Sequence, residues 1–121
     1  MGLDLISDSS NQVSMRREDI NDADLRFKEK GHPSRAQFLA VAVRRLLAAL
    51  AMEPKFSDPE LKALRKYHED AREKWGERDG QRLPLARIAI SAAERRFVTD
   101  LCRELGVDQV NFYGYAVHSF E

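Results

Sequence analysis

The sequence predicts a mainly α-helical protein with one two-stranded antiparallel β-ribbon, built from two strand–helix–helix units in a single chain. Two observations predict this fold. Polar and apolar residues alternate at 12–17 and again at 87–91, and each stretch precedes two helical patterns separated by a glycine. The two halves of the chain also share a longer pattern, which indicates an internal repeat.

The repeat aligns Phe38 with Phe112, because each begins the pattern Phe-x-x-x-Ala-Val-x-x followed by an apolar residue. Val13 precedes Phe38 by 25 residues, and Ile88 precedes Phe112 by 24. One strand and two short helices bury too little apolar surface to be stable alone. The two copies are therefore expected to pair their strands and share one core, as a single compact domain.

The first unit is predicted at 12–50, after a polar and flexible arm at 1–11. Its alternating strand is followed by a helix that Asp19 or Asn21 can cap. Gly31 is the expected end of that helix, because glycine readily adopts the left-handed conformation of a C-terminal cap.

The second helix of this unit is expected to begin after Ser34, a good N-cap, and to end at Glu53-Pro54. A linker at 51–86 then contains a third helical stretch, 57–79, which begins with Ser-Asp-Pro-Glu. Acids and bases alternate along that helix, except for one stripe at helical spacing. The stripe is predicted to pack against the core and consists of Leu61, Leu64, His68, Ala71 and Trp75.

The second unit is predicted at 87–121. A helix follows its strand, and Ser91 with Glu94 three residues later predicts a capping box at its start. Gly106 is the expected end of this helix, and Asp108 is the expected cap of the last one.

Alternation assigns the two faces of the ribbon. The inward side chains are predicted to be Val13, Met15, Ile88 and Ile90. The outward side chains are predicted to be Gln12, Ser14 and Arg16 on the first strand, and Arg87, Ala89 and Ser91 on the second.

Each unit resembles the ribbon-helix-helix superfamily, the fold of the MetJ and Arc repressors. The better match is Gln-Val-Ser-Met-Arg followed by Gly-His-Pro-Ser-Arg-Ala-Gln-Phe-Leu-Ala-Val-Ala-Val-Arg-Arg-Leu-Leu, and the resemblance covers 12–50 and 86–120. Most members supply one unit per chain and dimerise. A single-chain pseudo-dimer is similar instead to the tandem accessory proteins of conjugative and T-DNA transfer.

The resemblance implies that the outward ribbon residues read bases in the major groove of double-stranded DNA. Because the two strands differ, the DNA site is expected to be asymmetric. The residues implied to read bases are Gln12, Ser14, Arg16, Arg87, Ala89 and Ser91, and those implied to bind phosphate are Arg17, Ser34, Arg35 and Gln109. Asp108 departs from the pattern, since its carboxylate repels phosphate.

Two roles follow from the resemblance: a DNA-transfer accessory factor, with a relaxase or other transfer proteins as partners, or a transcriptional regulator. The alternatives are a small helical interaction subunit of a larger assembly, or an antitoxin. A packed 57–79 helix would disfavour the antitoxin. No enzyme, metal or cofactor is expected, because the histidines are scattered and no catalytic or phosphate-loop motif occurs; they are His32, His68 and His118.

The net charge of zero is an average, since residues 11–50 hold eight Lys/Arg against five Asp/Glu. It therefore does not exclude DNA, and it predicts that the first unit binds more strongly than the second. No apolar run is long enough to cross a membrane. The single cysteine, Cys102, is expected to be a buried and inert thiol, and a bacterial cytoplasmic location is expected. The pseudo-dimer is expected to be monomeric, with association along DNA as a further step.

Overall fold

Seven elements form among residues 11–51, 58–76 and 83–120, which the computed structural model describes. In chain order they are β1 (Gln12–Ser14), α1 (Arg17–Glu29), α2 (Arg35–Ala51), α3 (Asp58–Trp75), β2 (Leu85–Arg87), α4 (Ala92–Leu105) and α5 (Gln109–His118). The predicted mainly helical fold with one two-stranded antiparallel sheet is confirmed. Several predicted features lie outside these residues: positions 1–10 of the arm predicted at 1–11, the Ser57 cap, and the predicted ends of the second and third helices, which fall in 52–57 and 77–82.

The two strands pair antiparallel, with Gln12 opposite Arg87 and Ser14 opposite Leu85. Backbone hydrogen bonds continue on either side, from the Met15 N–H to the Pro84 carbonyl at 3.1 Å and from the Ile88 N–H to Asn11 at 3.0 Å. The predicted inward residues Val13, Met15, Ile88 and Ile90 are all buried, so the phase of the alternation is confirmed.

The predicted extent of both strands is wrong. The first strand stops at Ser14, because Arg16 is the N-cap of α1 and the helix begins at the next residue. The second strand is Leu85–Arg87 instead of 87–91, and Ala89 already donates its backbone N–H to the Ala36 carbonyl of α2 at 3.2 Å. The ribbon is therefore shorter than predicted. After β1 the chain enters α1, and after β2 it hydrogen-bonds to α2.

Local capping signals mark several of the helix ends. The Ser91–Glu94 capping box at α4 is present, and Gly106 ends that helix with φ of 72°. Gly31, with φ of 75°, follows α1 as predicted. The predicted caps of α1 are wrong: Arg16 occupies the N-cap position, and Asp19 lies in the first turns of the helix with its side chain buried.

One shared core lies beneath the ribbon, and α5 packs against α1, α2, α3 and α4. Phe38 of α2 and Phe112 of α5 are both fully buried. The stripe on α3 faces this core, as predicted: Leu64, His68 and Ala71 are buried. No helix in the described parts of the chain is long and apolar enough to span a membrane.

Candidate nucleic-acid interface

The outer face of the ribbon presents four side chains in two opposed pairs. Gln12 lies opposite Arg87, and both are exposed. Ser14 is half-buried and lies opposite Leu85, which is 59% exposed. Three of the predicted outward residues, Gln12, Ser14 and Arg87, therefore share one accessible face.

Leu85 was not expected on this face, because it falls within the predicted linker at 51–86. The alternation of polar and apolar residues does not indicate it, because Leu85 is apolar although it lies on the outward side with Arg87. The composition around β2 also disfavours a strand, because position 84 is proline and residues 85–87 include no β-branched side chain.

The N-termini of two helices flank the ribbon, one beside each strand. The bond from Ala89 to Ala36 holds the start of α2 close to the end of β2. On the other side, Ser14 of β1 and Gln109 of α5 line the same cleft. Free N–H groups at a helix start attract anions, so both flanks have the polarity that a phosphate backbone requires.

Two of the three predicted phosphate-binding residues of the first unit have partners within the protein. The Ser34 hydroxyl accepts a hydrogen bond from the Gln37 backbone N–H at 3.2 Å, which confirms its cap role. Arg35 forms an ion pair with Asp24 at 3.2 Å, and both groups are partly exposed. Arg17 is exposed in the first turn of α1.

The start of α5 lacks a side-chain cap. Asp108 has the extended backbone of an N-cap residue, but its carboxylate makes no cap hydrogen bond. Gln109, a predicted phosphate-binding residue, is exposed and accepts a hydrogen bond from the Thr99 hydroxyl at 3.4 Å. The backbone N–H groups of this helix start are therefore not satisfied by Asp108.

The prediction that Arg16 faces outward is wrong, because its side chain is only 6% exposed. Its guanidinium donates to the Asn111 Oδ1 at 2.6 Å and lies 4.5 Å from the centre of the Trp75 ring. Asn111 also contacts the His68 Nδ1 at 2.8 Å. Arg16 therefore joins the end of the ribbon to α3 and α5, and it is removed from the ribbon face.

The prediction that Ala89 and Ser91 lie on the outer face of the second strand is also wrong, because both residues follow the end of β2. The Ser91 hydroxyl accepts the Glu94 backbone N–H at 3.1 Å as part of the capping box. Arg44 of α2 donates to the Glu94 carboxylate at 2.8 Å and, with the capping box, holds the pKa of Glu94 down at about 2. This segment connects the ribbon to the two helices and does not contribute to its outer face.

A second polar cluster lies between α1, α3 and α5. The buried Asp19 carboxylate contacts the His118 Nε2 at 2.8 Å, and Asp22 lies 3.3 Å from the His118 Nδ1. A Cβ at Gly114 would lie 2.6 Å from the Asp19 Oδ2 and 2.9 Å from the Tyr67 hydroxyl. Glycine therefore allows the α5 backbone to approach both polar groups.

This cluster makes the stability of the fold depend on pH. The hydrogen bond to Asp19 raises the pKa of His118. The negative charge of Asp22 raises this pKa further, and the positive charge of Arg26 lowers it. A raised folded-state pKa stabilises the fold fully below the unfolded value of 6.5, and this stabilisation is lost as pH rises through the folded pKa. We expect urea denaturation to show a stability difference between the parent and His118→Gln that shrinks as pH rises above that value.

His68 provides a comparison for the effect of His118 on the pH dependence of stability. Burial is the main cause that lowers the pKa of His68, so its effect has the opposite sign and destabilises the fold as pH falls. A His68→Gln variant should therefore retain the alkaline decline that His118→Gln removes. The same decline in His118→Gln as in the parent would contradict the role of the Asp19 contact.

The His118 Nε2 lies 2.8 Å from the Asp19 Oδ1, and its Nδ1 lies 3.3 Å from the Asp22 Oδ2. Cys102 is buried as predicted, and burial raises the pKa of its thiol to about 12. No group of three or more His, Cys, Asp or Glu side chains suited to a metal ion occurs in 11–51, 58–76 and 83–120.

Comparisons with protein-family models, with curated proteins and with solved structures found no match to this chain. Its candidate site is therefore defined by its own geometry: an exposed antiparallel ribbon flanked by two helix N-termini.

Proposed function

We propose that this chain is a double-stranded DNA-binding protein that inserts its ribbon into the major groove. The observation that carries the proposal is the exposed pair of Gln12 and Arg87 on opposite strands of an antiparallel ribbon. The major groove admits a two-stranded ribbon, arginine pairs with guanine and glutamine pairs with adenine. The opposed residues Gln12 and Arg87 thus give the ribbon two side chains suited to base contacts.

The proposal includes a single-chain pseudo-dimer of two ribbon-helix-helix units. The order strand, helix, helix occurs on both sides of α3, and the two strands pair with each other. The two outer faces differ, because β1 presents Gln12 and Ser14 whereas β2 presents Leu85 and Arg87. The DNA sequence bound should therefore be asymmetric, with Leu85 suited to contact a thymine methyl group.

We propose that phosphates bind beside the ribbon at the starts of α2 and α5. Arg35 can exchange its partly exposed ion pair with Asp24 for a phosphate at little cost, because such surface pairs contribute little stability. Arg17 is exposed close to the ribbon in sequence. At the start of α5 the negative charge of Asp108 repels phosphate. The first unit should therefore bind the DNA backbone more strongly than the second.

The cellular roles that fit are a DNA-transfer accessory factor or a transcriptional regulator. The antitoxin alternative requires a free segment that a toxin can bind. The face of α3 is instead packed on the core through Leu64, His68 and Ala71. The interaction-subunit alternative is favoured by two large apolar side chains on the surface, Leu25 of α1 and Phe97 of α4, which are 65% and 55% exposed.

The test is selection of a binding site from random duplex DNA, followed by titration of the selected duplex at several salt concentrations. We expect saturable binding that weakens with salt, and a preference of the selected duplex over random sequence. Arg87→Ala should weaken specific binding by ~1–3 kcal/mol and relax the preference at one base pair.

Lys66→Ala is the matched control, because Lys66 is an exposed cation on α3, away from the ribbon, that pairs with nearby Asp70 at 3.3 Å. It should leave specific binding unchanged. Absence of binding at low salt would exclude the proposal. Arg87→Ala that binds like the parent would exclude the ribbon as the reading element.

A further inference from the structure

The backbone of β1 presents hydrogen-bonding groups along the edge that faces away from β2. In an antiparallel ribbon, opposed residues alternate between pairs that exchange backbone hydrogen bonds and pairs that do not. The bond from the Met15 N–H to the opposed Pro84 carbonyl fixes the phase of this alternation. Gln12 and Ser14 therefore occupy the unbonded positions, and their backbone N–H and carbonyl groups form an open edge of β1.

The corresponding edge of β2 is covered, because the Ala89 N–H just beyond it donates to the Ala36 carbonyl of α2 at 3.2 Å. In the sequence repeat, Ser14 aligns with Ala89, and Val110 of α5 aligns with Ala36. No backbone hydrogen bond joins Ser14 to Val110, and both residues instead line a cleft of about 380 Å³. The outward backbone groups of Gln12 likewise have no hydrogen-bond partner among the described residues. Natural proteins usually cover such edges, so this one calls for an explanation.

A second cleft, of about 300 Å³, continues along the open edge past the start of β1. Asn11 lines it on the ribbon side, Arg95 and Arg96 line it on α4, and Arg95 and Thr99 also line the first cleft. No residue of β2 lines either cleft, so both lie on the open side of β1. Both arginines are exposed and form no ion pair with any residue that the structure describes. The open edge therefore lies beside a positively charged wall.

A partner for this edge must offer hydrogen-bond donors as well as acceptors. Gln12 and Ser14 each present one N–H and one carbonyl, and an extended peptide backbone matches both kinds of group along a strand. The phosphate backbone of DNA supplies acceptors only, so it would leave both carbonyls unpaired. A second copy of this chain can pair its own β1 with the edge, but Gln12–Ser14 brings no carboxylate to the arginines.

We propose that the open edge of β1 binds an extended acidic peptide of a partner protein, which adds a third strand to the ribbon and places its carboxylates against Arg95 and Arg96. Backbone hydrogen bonds to Gln12 and Ser14 supply affinity, and the arginines select acidic side chains. Asp108 lines the first cleft but not the second, so the carboxylates are expected in the second. The proposal does not depend on DNA binding by the outer face of the ribbon.

The test is an amide NMR titration of the full chain, without DNA, with a blocked hexapeptide of alternating valine and glutamate. We expect saturable shifts and slowed hydrogen exchange at the backbone amides of Gln12 and Ser14. The Val13 amide is the internal reference, since it lies at a bonded position opposite Ala86 and its exchange should change least.

Two further peptides separate backbone pairing from charge. The same peptide with methylated backbone nitrogens keeps its carboxylates but loses its donors, and it should not give saturable shifts at these amides. A peptide of alternating valine and lysine keeps the donors but reverses the charge, and it should bind much more weakly than the glutamate peptide.

Arg95→Ala should weaken the glutamate peptide by about two- to fivefold, as expected for loss of an exposed ion pair. Arg72→Ala is the matched control, because it removes an exposed arginine on α3 that lines neither cleft. The proposal is overturned if the Gln12 and Ser14 amides are neither shifted nor protected, or if Arg95→Ala binds like the parent. It is also overturned if the methylated peptide binds as tightly as the unmodified one, or if only duplex DNA protects these amides.

Discussion

Arg16→Ala is expected to lower the free energy of unfolding by about 2–4 kcal/mol. Arg16 is buried, donates to the Asn111 Oδ1 at 2.6 Å and covers the face of Trp75. Its removal leaves the buried amide oxygen without this donor and uncovers an aromatic ring. Urea denaturation followed by far-UV circular dichroism measures the loss, which is a large part of the ~5–15 kcal/mol of a typical domain.

The neighbouring Arg17 is the matched control, because it carries the same side chain but is exposed. Arg17→Ala should change stability by no more than about 0.5 kcal/mol. Arg16→Lys should recover only part of the loss, since an ammonium group does not reproduce a planar guanidinium stacked on a ring. An Arg16→Ala protein as stable as the parent would show that the buried contacts contribute nothing.

Arg16 shows where prediction from sequence fails. The alternation in Gln-Val-Ser-Met-Arg assigns it to the outer face only if the strand continues beyond Ser14, whereas the chain turns into α1. Its partners Asn111 and Trp75 are distant in the sequence, so no local pattern indicates them. Charged residues at the end of a short strand therefore cannot be assigned to a face by periodicity alone.

The features that were predicted correctly depend on local physics. The capping box of Ser91 and Glu94, and the left-handed glycines Gly31 and Gly106, each act within a few residues. The inward phase of Val13 and Ile88 depends on a period of two, which survives changes in strand length. Strand extent depends on pairing with a distant segment, Leu85 with Ser14, so a local pattern does not indicate it.

These corrections reduce the candidate base-reading set and change its chemistry. Gln12, Ser14 and Arg87 remain on the outer face, Leu85 joins them, and Arg87 is the one cation of the two strands. A ribbon with one arginine should depend strongly on that residue for specificity. The proposed DNA affinity must then come largely from phosphates beside the ribbon, which predicts a steep dependence on salt.

Phe112→Ala and Phe38→Ala are each expected to cost about 3–5 kcal/mol of stability, the largest effects predicted for this chain. Both rings are fully buried, and their helices, α5 and α2, pack against each other. Phe38 lies 5.1 Å from the Phe120 ring centre, and Phe112 lies 5.9 Å from that of Tyr113. Alanine leaves a cavity at either position that the surrounding helices can fill only in part.

Phe97→Ala is the control, since Phe97 is 55% exposed on α4 and should cost no more than about 0.5 kcal/mol. Urea denaturation of the three variants tests the shared core directly. If the two units contribute equivalent phenylalanines to one core, the two buried substitutions should have similar costs and each should unfold the whole chain in one transition. A variant that loses only one half of its helical signal, or a buried position that tolerates alanine, would contradict a core made jointly by both halves.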